Sequence, residues 1–451
     1  MNIHIRRFIA LTFILAFVII APILIFYTAG YRYNPKKQQL ATAGTLVIQT
    51  SPRAAVVSLN GQNAYNTPIR LTDLSPQKYL INVTKDGYYP WKKTLSVNAQ
   101  ETTFAEDIIL FKQSSPRKIS NLLIDSMLVT PDHKGTALLS QSAGGVEIFY
   151  YNFGNENIEK IYSTTNTMNK LNLSWSKDGN FLLVSANAPG INSIIINRTA
   201  PSVTISVDDF IDQAKNIKFS LENDNVLFAT SENKIVEATI QNKILLTNTV
   251  AEIDAAIETD FIVYNGYLYS MSKIKDNETE IFRNNLNEEA DRPEPRIILP
   301  NGQYKIANVV DNHLVIEETE NNKTIFVQLE LNSILTSISS LSAYDYFEKQ
   351  NILLTADRNE IITYDLNKYN SETTITRVSD GIDHACWYPE SNYIVFTLNQ
   401  QAKIIELDER DSRNQWELPI DHILDMTLDK KGENIYFIQD GTPGLFVLEI
   451  H

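Results

Sequence analysis

A chain of 451 residues has room for two to four domains, and 43% hydrophobic with 21% charged residues is the balance of a globular protein. Its one cysteine, Cys386, excludes an intrachain disulfide, and with it a disulfide-stapled secreted scaffold, though not export. The charge is uneven: residues 1–43 hold Arg6, Arg7, Arg32, Lys36 and Lys37 and no acid, and removing these five from 39 basic residues leaves 34 against 54 acidic ones. A body with that balance of −20 is a poor nucleic-acid binder.

The first element in the chain is the uncharged run FIALTFILAFVIIAPILIFY, residues 8–27. At about 1.5 Å per residue it spans roughly 30 Å, the thickness of a bilayer core. Pro22 is tolerated in such a span, and Tyr27, Tyr31 and Tyr33 fall where an interfacial aromatic belt belongs. The run predicts a lipid-embedded anchor within residues 1–33. The alternative is a cleavable signal peptide, whose apolar region is usually shorter, about 7–15 residues. Arg6 and Arg7 favour a cytoplasmic N-terminus; Arg32, Lys36 and Lys37 on the far flank oppose it. The expectation is a single-pass cell-membrane protein, N-terminus inside and body outside.

After a linker at 34–43, residues 44–111 read as short alternating strands: GTLVIQT, AVVSLNG, TPIRLTDL, KYLINVT, WKKTLSV and FAEDIILF. Asn60-Gly61 and Asp86-Gly87 mark turns between them. So short a domain without a disulfide depends on large aromatics for its core. Trp91 and Tyr88 therefore read as core packing, with an exposed platform for a sugar or partner as the alternative.

The order GTLVIQTSPRAAVVSLNG…TPIRLTDLSPQKYLINVTKDGYYPW is similar to the PEGA domain, a bacterial surface module. The landmarks are Gly44, Pro52, Val56, Asn60, Gly61, Thr67, Pro68, Tyr79, Val83, Lys85, Gly87, Tyr88 and Trp91. Three positions depart from its pattern: Ala54-Ala55 lacks the glycine of the signature tetrapeptide, Asn66 replaces a glycine, and Pro76-Gln77 replaces Pro-Gly. Asparagine adopts positive φ readily and alanine does not, so the first turn is expected to differ. The resemblance implies a small β-sandwich with a binding or structural role and no catalytic residues.

From residue 112 onward one pattern recurs, a polar turn followed by a short apolar run, aligned on Leu139, Leu183, Phe228, Tyr264, Ile316, Leu354, Phe396 and Phe437. The intervals are 44, 45, 36, 52, 38, 42 and 41 residues. A period of about 40–45 residues with four strands per unit predicts a β-propeller over residues 112–451. The count is eight blades, with seven as the alternative, because the unit around Tyr264 is irregular. The last unit stops after its third strand, GLFVLEI, while an orphan strand, RKIS at 117–120, precedes the first. Pairing these two would close the ring and leave only short sheet edges. WSKDG at 175–179 resembles the turn of TolB-like and WD40-like propellers, and WYPES at 387–391 echoes it weakly. In that resemblance Trp175 packs between blades.

The fold class expected is all-β with one N-terminal transmembrane helix. No nucleophile elbow, zinc-peptidase motif, phosphate loop or complete EF-hand loop is present. His384 and Cys386 stand two apart, on one side of a strand, which fits a buried thiol beside a histidine or a Cys-His pair. Asp408, Glu409 and Asp411 fit a solvated turn or a metal site, and Asn82-Val83-Thr84 is a glycosylation sequon of little weight. No catalytic, cofactor or metal residue is assigned. The reading is a membrane-anchored binding or scaffold protein for an envelope protein or a neutral glycan, with no cofactor and no nucleic acid. The alternative is a propeller lyase or glycosidase with a site in the axial funnel, which needs two converging carboxylates.

Overall fold

A computed structural model describes residues 3–28, 31–34, 39–165, 171–186, 193–253, 260–273, 278–286, 294–300, 302–368, 371–389 and 392–451. Lys36, Lys37, Glu390 and Ser391, used above, lie outside them. The chain divides into two compact units. One comprises residues 1–114, 405–416 and 450–451, the other residues 115–404 and 417–449.

The first unit begins with a helix, Ile3–Thr28. Its segment Ile5–Thr28 is long and apolar enough to cross a membrane. Phe8 and Phe13 are 72% and 73% exposed, so no protein core takes up this apolar surface. The hydroxyls of Thr12 and Thr28 donate back to the carbonyls of Phe8 and Ile25, which keeps them satisfied without water. A short hairpin, Tyr31–Asn34 with Gln39–Thr42, follows.

The sandwich has two sheets. In one, Gly44–Ser51 lies between antiparallel Ile69–Leu74 and parallel Thr102–Ile109. In the other the order is Gln62–Asn66, Val56–Leu59, Gln77–Thr84, Trp91–Val97. Alternation sets the core. Leu46 and Ile48, Val57 and Leu59, Tyr79, Ile81 and Val83, and Trp91, Leu95 and Val97 are all buried. Ala54 departs from expectation: it takes φ +60°, the left-handed conformation that suits glycine. The turn holds it there, because the Ala54 N–H donates to the Thr67 carbonyl (2.9 Å) and the Ala55 N–H to the Thr67 hydroxyl (3.0 Å).

Among the described residues, the second unit together with residues 405–416 makes a β-propeller of eight four-stranded sheets. Blades 1 to 7 run over 126–164, 171–206, 215–252, 261–299, 304–339, 341–377 and 385–417. Blade 8 takes three strands from 423–449 and its fourth, Arg117–Lys118, from before blade 1, paired to Thr442–Glu449. This is the closure read from the orphan strand. The central strand positions are filled by aliphatics: Leu138, Leu183, Leu227, Val315, Leu353, Ile394 and Ile435 are essentially inaccessible. Leu138, Leu183, Leu227, Val315 and Leu353, with neighbours from adjoining sheets, belong to clusters between blades.

Two details differ from the repeat as aligned above. Tyr264 lies on the first strand of blade 4, Phe261–Tyr264, whereas the residues aligned with it lie on second strands. A tight turn at Asn265 and Gly266, both at positive φ, joins this strand to Tyr267–Lys273, the true second strand. The intervals of 36 and 52 residues around Tyr264 come from that one-strand offset. The WSKDG turn also has two unread counterparts. The Gly179, His133 and Gly432 amides donate to Ser176, Thr130 and Asp429 carbonyls at 2.8, 2.8 and 3.1 Å, and all three donor residues have positive φ. Histidine at the position of Gly179 hid the match in blade 1.

Candidate functional site

The residues singled out above mostly serve the fold. Trp91 is 2% exposed and belongs to the sandwich core, while Tyr88 is half-buried and bridges to Lys112. The Trp175 indole N–H donates to the Leu128 carbonyl of blade 1 (3.0 Å), and its ring meets Tyr150 edge-on at 6.2 Å, so it packs between blades 1 and 2. Burial pushes the Cys386 thiol well above its ordinary range, and the charge of Asp345 adds to this. His384 Nε2 instead lies 3.1 Å from the Leu424 carbonyl. The pair is therefore not an activated nucleophile. Asp408, Glu409 and Asp411 are drawn into ion pairs and hydrogen bonds: Asp408 with Arg410, Glu409 with Arg413, and Asp411 with the Thr94 amide.

Acids on the innermost strands were not read from sequence. Asp260, at the start of blade 4, accepts the Ile306 amide of blade 5 (2.6 Å). Asp345 of blade 6 accepts the Trp387 amide of blade 7 (2.8 Å), and Asp425 of blade 8 accepts the Met127 amide of blade 1 (3.0 Å). Blades 4, 6 and 8 thus each pin their successor by one carboxylate, and the last pin spans the ring closure. Lys218 completes the first: its ammonium meets Asp260 (2.7 Å) and the carbonyls of Phe261 and Ile306 (2.8 and 2.7 Å). Burial raises the Asp345 and Asp425 carboxyls and lowers the Lys218 ammonium. These groups tie the innermost strands of neighbouring blades together.

A cavity of about 270 Å³ opens within blades 1 and 2, lined by Lys134, Tyr150, Asn152, Asn155, Asn157, Glu159, Arg198 and Thr199. Arg198 is fixed over the Tyr150 ring at 5.3 Å, donating to the Tyr150 hydroxyl and to Asn180 Oδ1, each at 3.0 Å. The side-chain oxygen Oδ1 of Asn152 accepts the Gly154 and Asn155 backbone amides, and Asn155 Oδ1 accepts the Asn157 backbone amide. Their oxygens are thereby engaged by backbone donors, which leaves the amide NH₂ groups as donors towards a ligand. Glu159 supplies acceptors, so the lining can meet a ligand rich in hydroxyl or amide groups. No motif marks it, because its residues come from turns and strands of two blades.

Residues 43–107 match the PEGA domain. The chain carries a PEGA domain. It occupies the sandwich, and the resemblance drawn above from Gly44 to Trp91 falls within it. Among curated proteins, no sequence matches this chain. The propeller is similar to the C-terminal WD40 domain of Sif2 at 13% identity, covering 74% of this chain and 98% of that one with a TM-score of 0.48. It is also similar to the Dos1 propeller at 12% identity, covering 75% and 95% with a TM-score of 0.48. The WD40 domain of SCAP from fission yeast is similar at 11% identity, covering 75% and 98% with a TM-score of 0.42. The assignment of the propeller stands on its sheet order and ring closure rather than on these likenesses.

Proposed function

We propose that this protein is a membrane-anchored scaffold of the cell surface whose propeller binds an envelope protein or a neutral glycan. The helix at 5–28 holds it in the membrane with the N-terminus inside, the PEGA domain stands next in the chain, and the propeller carries the binding surface. The observation that carries this reading is the cavity of blades 1 and 2, where amide donors, Lys134, Arg198 and Glu159 offer hydrogen bonds to a ligand rich in hydroxyl or amide groups. The surrounding propeller supports a neutral partner over a polyanion. Residues 44–111 hold six basic and five acidic groups, which leaves 28 basic against 49 acidic over 112–451. A domain so acidic repels nucleic acids and anionic polymers.

The test has two parts. Protease added to intact cells or protoplasts should degrade the body; cutting only after lysis would reverse the topology. The full chain in detergent is then probed at physiological salt against arrays of envelope proteins, neutral glycans and polyanions. Binding to a protein or neutral glycan that weakens at least tenfold in Arg198→Ala and Asn155→Ala supports the reading. Tight, salt-sensitive binding to a polyanion, or turnover of an arrayed glycan, would overturn it.

A further inference from the structure

The sandwich strand Trp91–Val97 has its alternate residues Trp91, Lys93, Leu95 and Val97 all buried, so a lysine stands in a core-facing row. Its side chain is 0% exposed. Burying an ammonium is costly unless charge and hydrogen bonds meet it. The acids nearest to it in sequence do not do so. The ammonium meets Glu406 Oε1 (2.5 Å), the Asp408 carbonyl (2.5 Å) and Asp408 Oδ2 (3.6 Å), all more than 300 residues later in the chain.

Those acids belong to residues 405–416, which connect the last two strands of blade 7 and fall in the same compact unit as the sandwich. Glu406 is 3% exposed and fully engaged. Its Oε2 accepts the Trp91 indole N–H (2.8 Å), and its Oε1 accepts the backbone and side-chain amides of Asn414 (2.7 and 2.8 Å). Asp411 Oδ2 takes the Thr94 amide (2.8 Å), a donor on a strand whose outer side has no neighbouring strand. Arg410 donates to the Phe104 carbonyl (2.9 Å). Trp416 donates to the Pro90 carbonyl (3.1 Å) and packs edge-on against Phe111 at 5.4 Å.

We propose that the Trp91–Lys93 edge of the sandwich is an acceptor surface for an acidic hairpin, and that residues 405–416 of the same chain occupy it and complete the fold of this unit. The surface reads a pattern, Glu406-x-Asp408-x-x-Asp411 followed by Trp416, in which Glu406 answers the Lys93 ammonium and the Trp91 indole, Asp408 the same ammonium, Asp411 the Thr94 amide and Trp416 the Pro90 carbonyl. Residues 43–107, which match the PEGA domain, then form an incomplete unit that closes only after the chain has been made through residue 416. A sandwich built from its own residues would place an aliphatic side chain at position 93.

Hydrogen exchange read by mass spectrometry on the full chain tests this. Glu406→Ala, and separately replacement of residues 407–413 by a Gly-Ser linker of equal length, should speed exchange in peptides covering 77–97 at least tenfold while peptides of blades 1 to 6 stay as in the wild type. Lys93→Met combined with Glu406→Gln should restore most of the protection, since it removes the buried charge that demands an acid. Unchanged exchange over 77–97 in both disrupted chains would overturn the proposal. So would a wild-type dimer whose subunits exchange this hairpin, detected by mixing heavy- and light-labelled protein.

Discussion

The sandwich unit and the propeller close their folds by opposite means. Each propeller blade is a run of four strands consecutive in sequence, and only the strand at 117–118 comes from elsewhere to seal the ring. The sandwich has about one-fifth of the propeller's chain, and it buries a lysine whose partners lie more than 300 residues away. Repetition lets the propeller spread closure over many equivalent contacts. The sandwich concentrates it in one polar cluster, where Lys93, Glu406 and the Trp91 indole depend on one another. A damaged contact should therefore cost little in a blade and much in the sandwich.

The sharpest way to break that contrast is Trp91→Ala. It removes a buried aromatic and strips Glu406 of a donor, so the sandwich should lose about 3–5 kcal/mol. Exchange and calorimetry should show the loss in peptides of 44–111 with the propeller transition unmoved. A propeller that melts with the sandwich would mean the two closures are not separate.

Next in size is Asp425→Ala, which removes the carboxylate pin from blade 8 to blade 1 and leaves the Met127 amide without it. A buried donor left unmet costs about 1–3 kcal/mol. Exchange should rise at 126–129 and 423–428 rather than around the whole ring. Ring-wide exchange would show that one pin carries the closure.

The pH limits also differ between the units. In the propeller, burial and then the charge of Glu156 raise the Tyr151 phenol from 10.0 to about 12. The folded chain keeps that proton in a range where the unfolded chain has lost it. Stability is full below pH 10 and falls as pH rises through 10 to about 12. Tyr151→Phe should flatten that fall, and since this buried hydroxyl has no hydrogen-bond partner among the described residues, the change should cost little at neutral pH. In the sandwich unit the acid limb matters. Burial alone would raise the Asp408 carboxyl, but hydrogen bonds from Arg410 and the charge of Lys93 hold it below its ordinary range. The Thr94 amide does the same for Asp411. Their contribution is present above about pH 4 and is lost as pH falls through the lowered folded values. Acid should therefore expose Trp91 and Trp416 to quenchers before it opens the blades.

The smallest expected effect is a gain. Ala54 sits at φ +60°, where alanine is strained and glycine is not. Ala54→Gly should stabilise the sandwich by about 0.5–1 kcal/mol, measured by denaturant midpoint, after the entropy of the added glycine is offset. A loss would mean that the Thr67 hydrogen bonds already relieve the strain.

Alternation and repetition made most of the architecture legible in the amino-acid sequence. Inward rows such as Val57 and Leu59 or Tyr79, Ile81 and Val83 require a two-sheet core whatever lies beyond them, because side chains alternate across a strand. The count of strands from Arg117 to Glu449 determined the ring closure, since a strand missing at one end must be matched at the other. The offset of blade 4 was not legible, because a polar turn followed by apolar residues describes its first strand as well as its second. The cavity of Lys134, Tyr150 and Arg198 was not legible either, since no spacing links two turns of different blades. Lys93 marks the limit. Its place in an inward row was written in WKKTLSV, but period-two alternation says only which way a side chain points. That Glu406 and Asp408 stand across from it, and that the sandwich is closed by them, was decided by tertiary structure alone: a buried charge constrains what must lie within a few ångströms and nothing about how far along the chain it comes from.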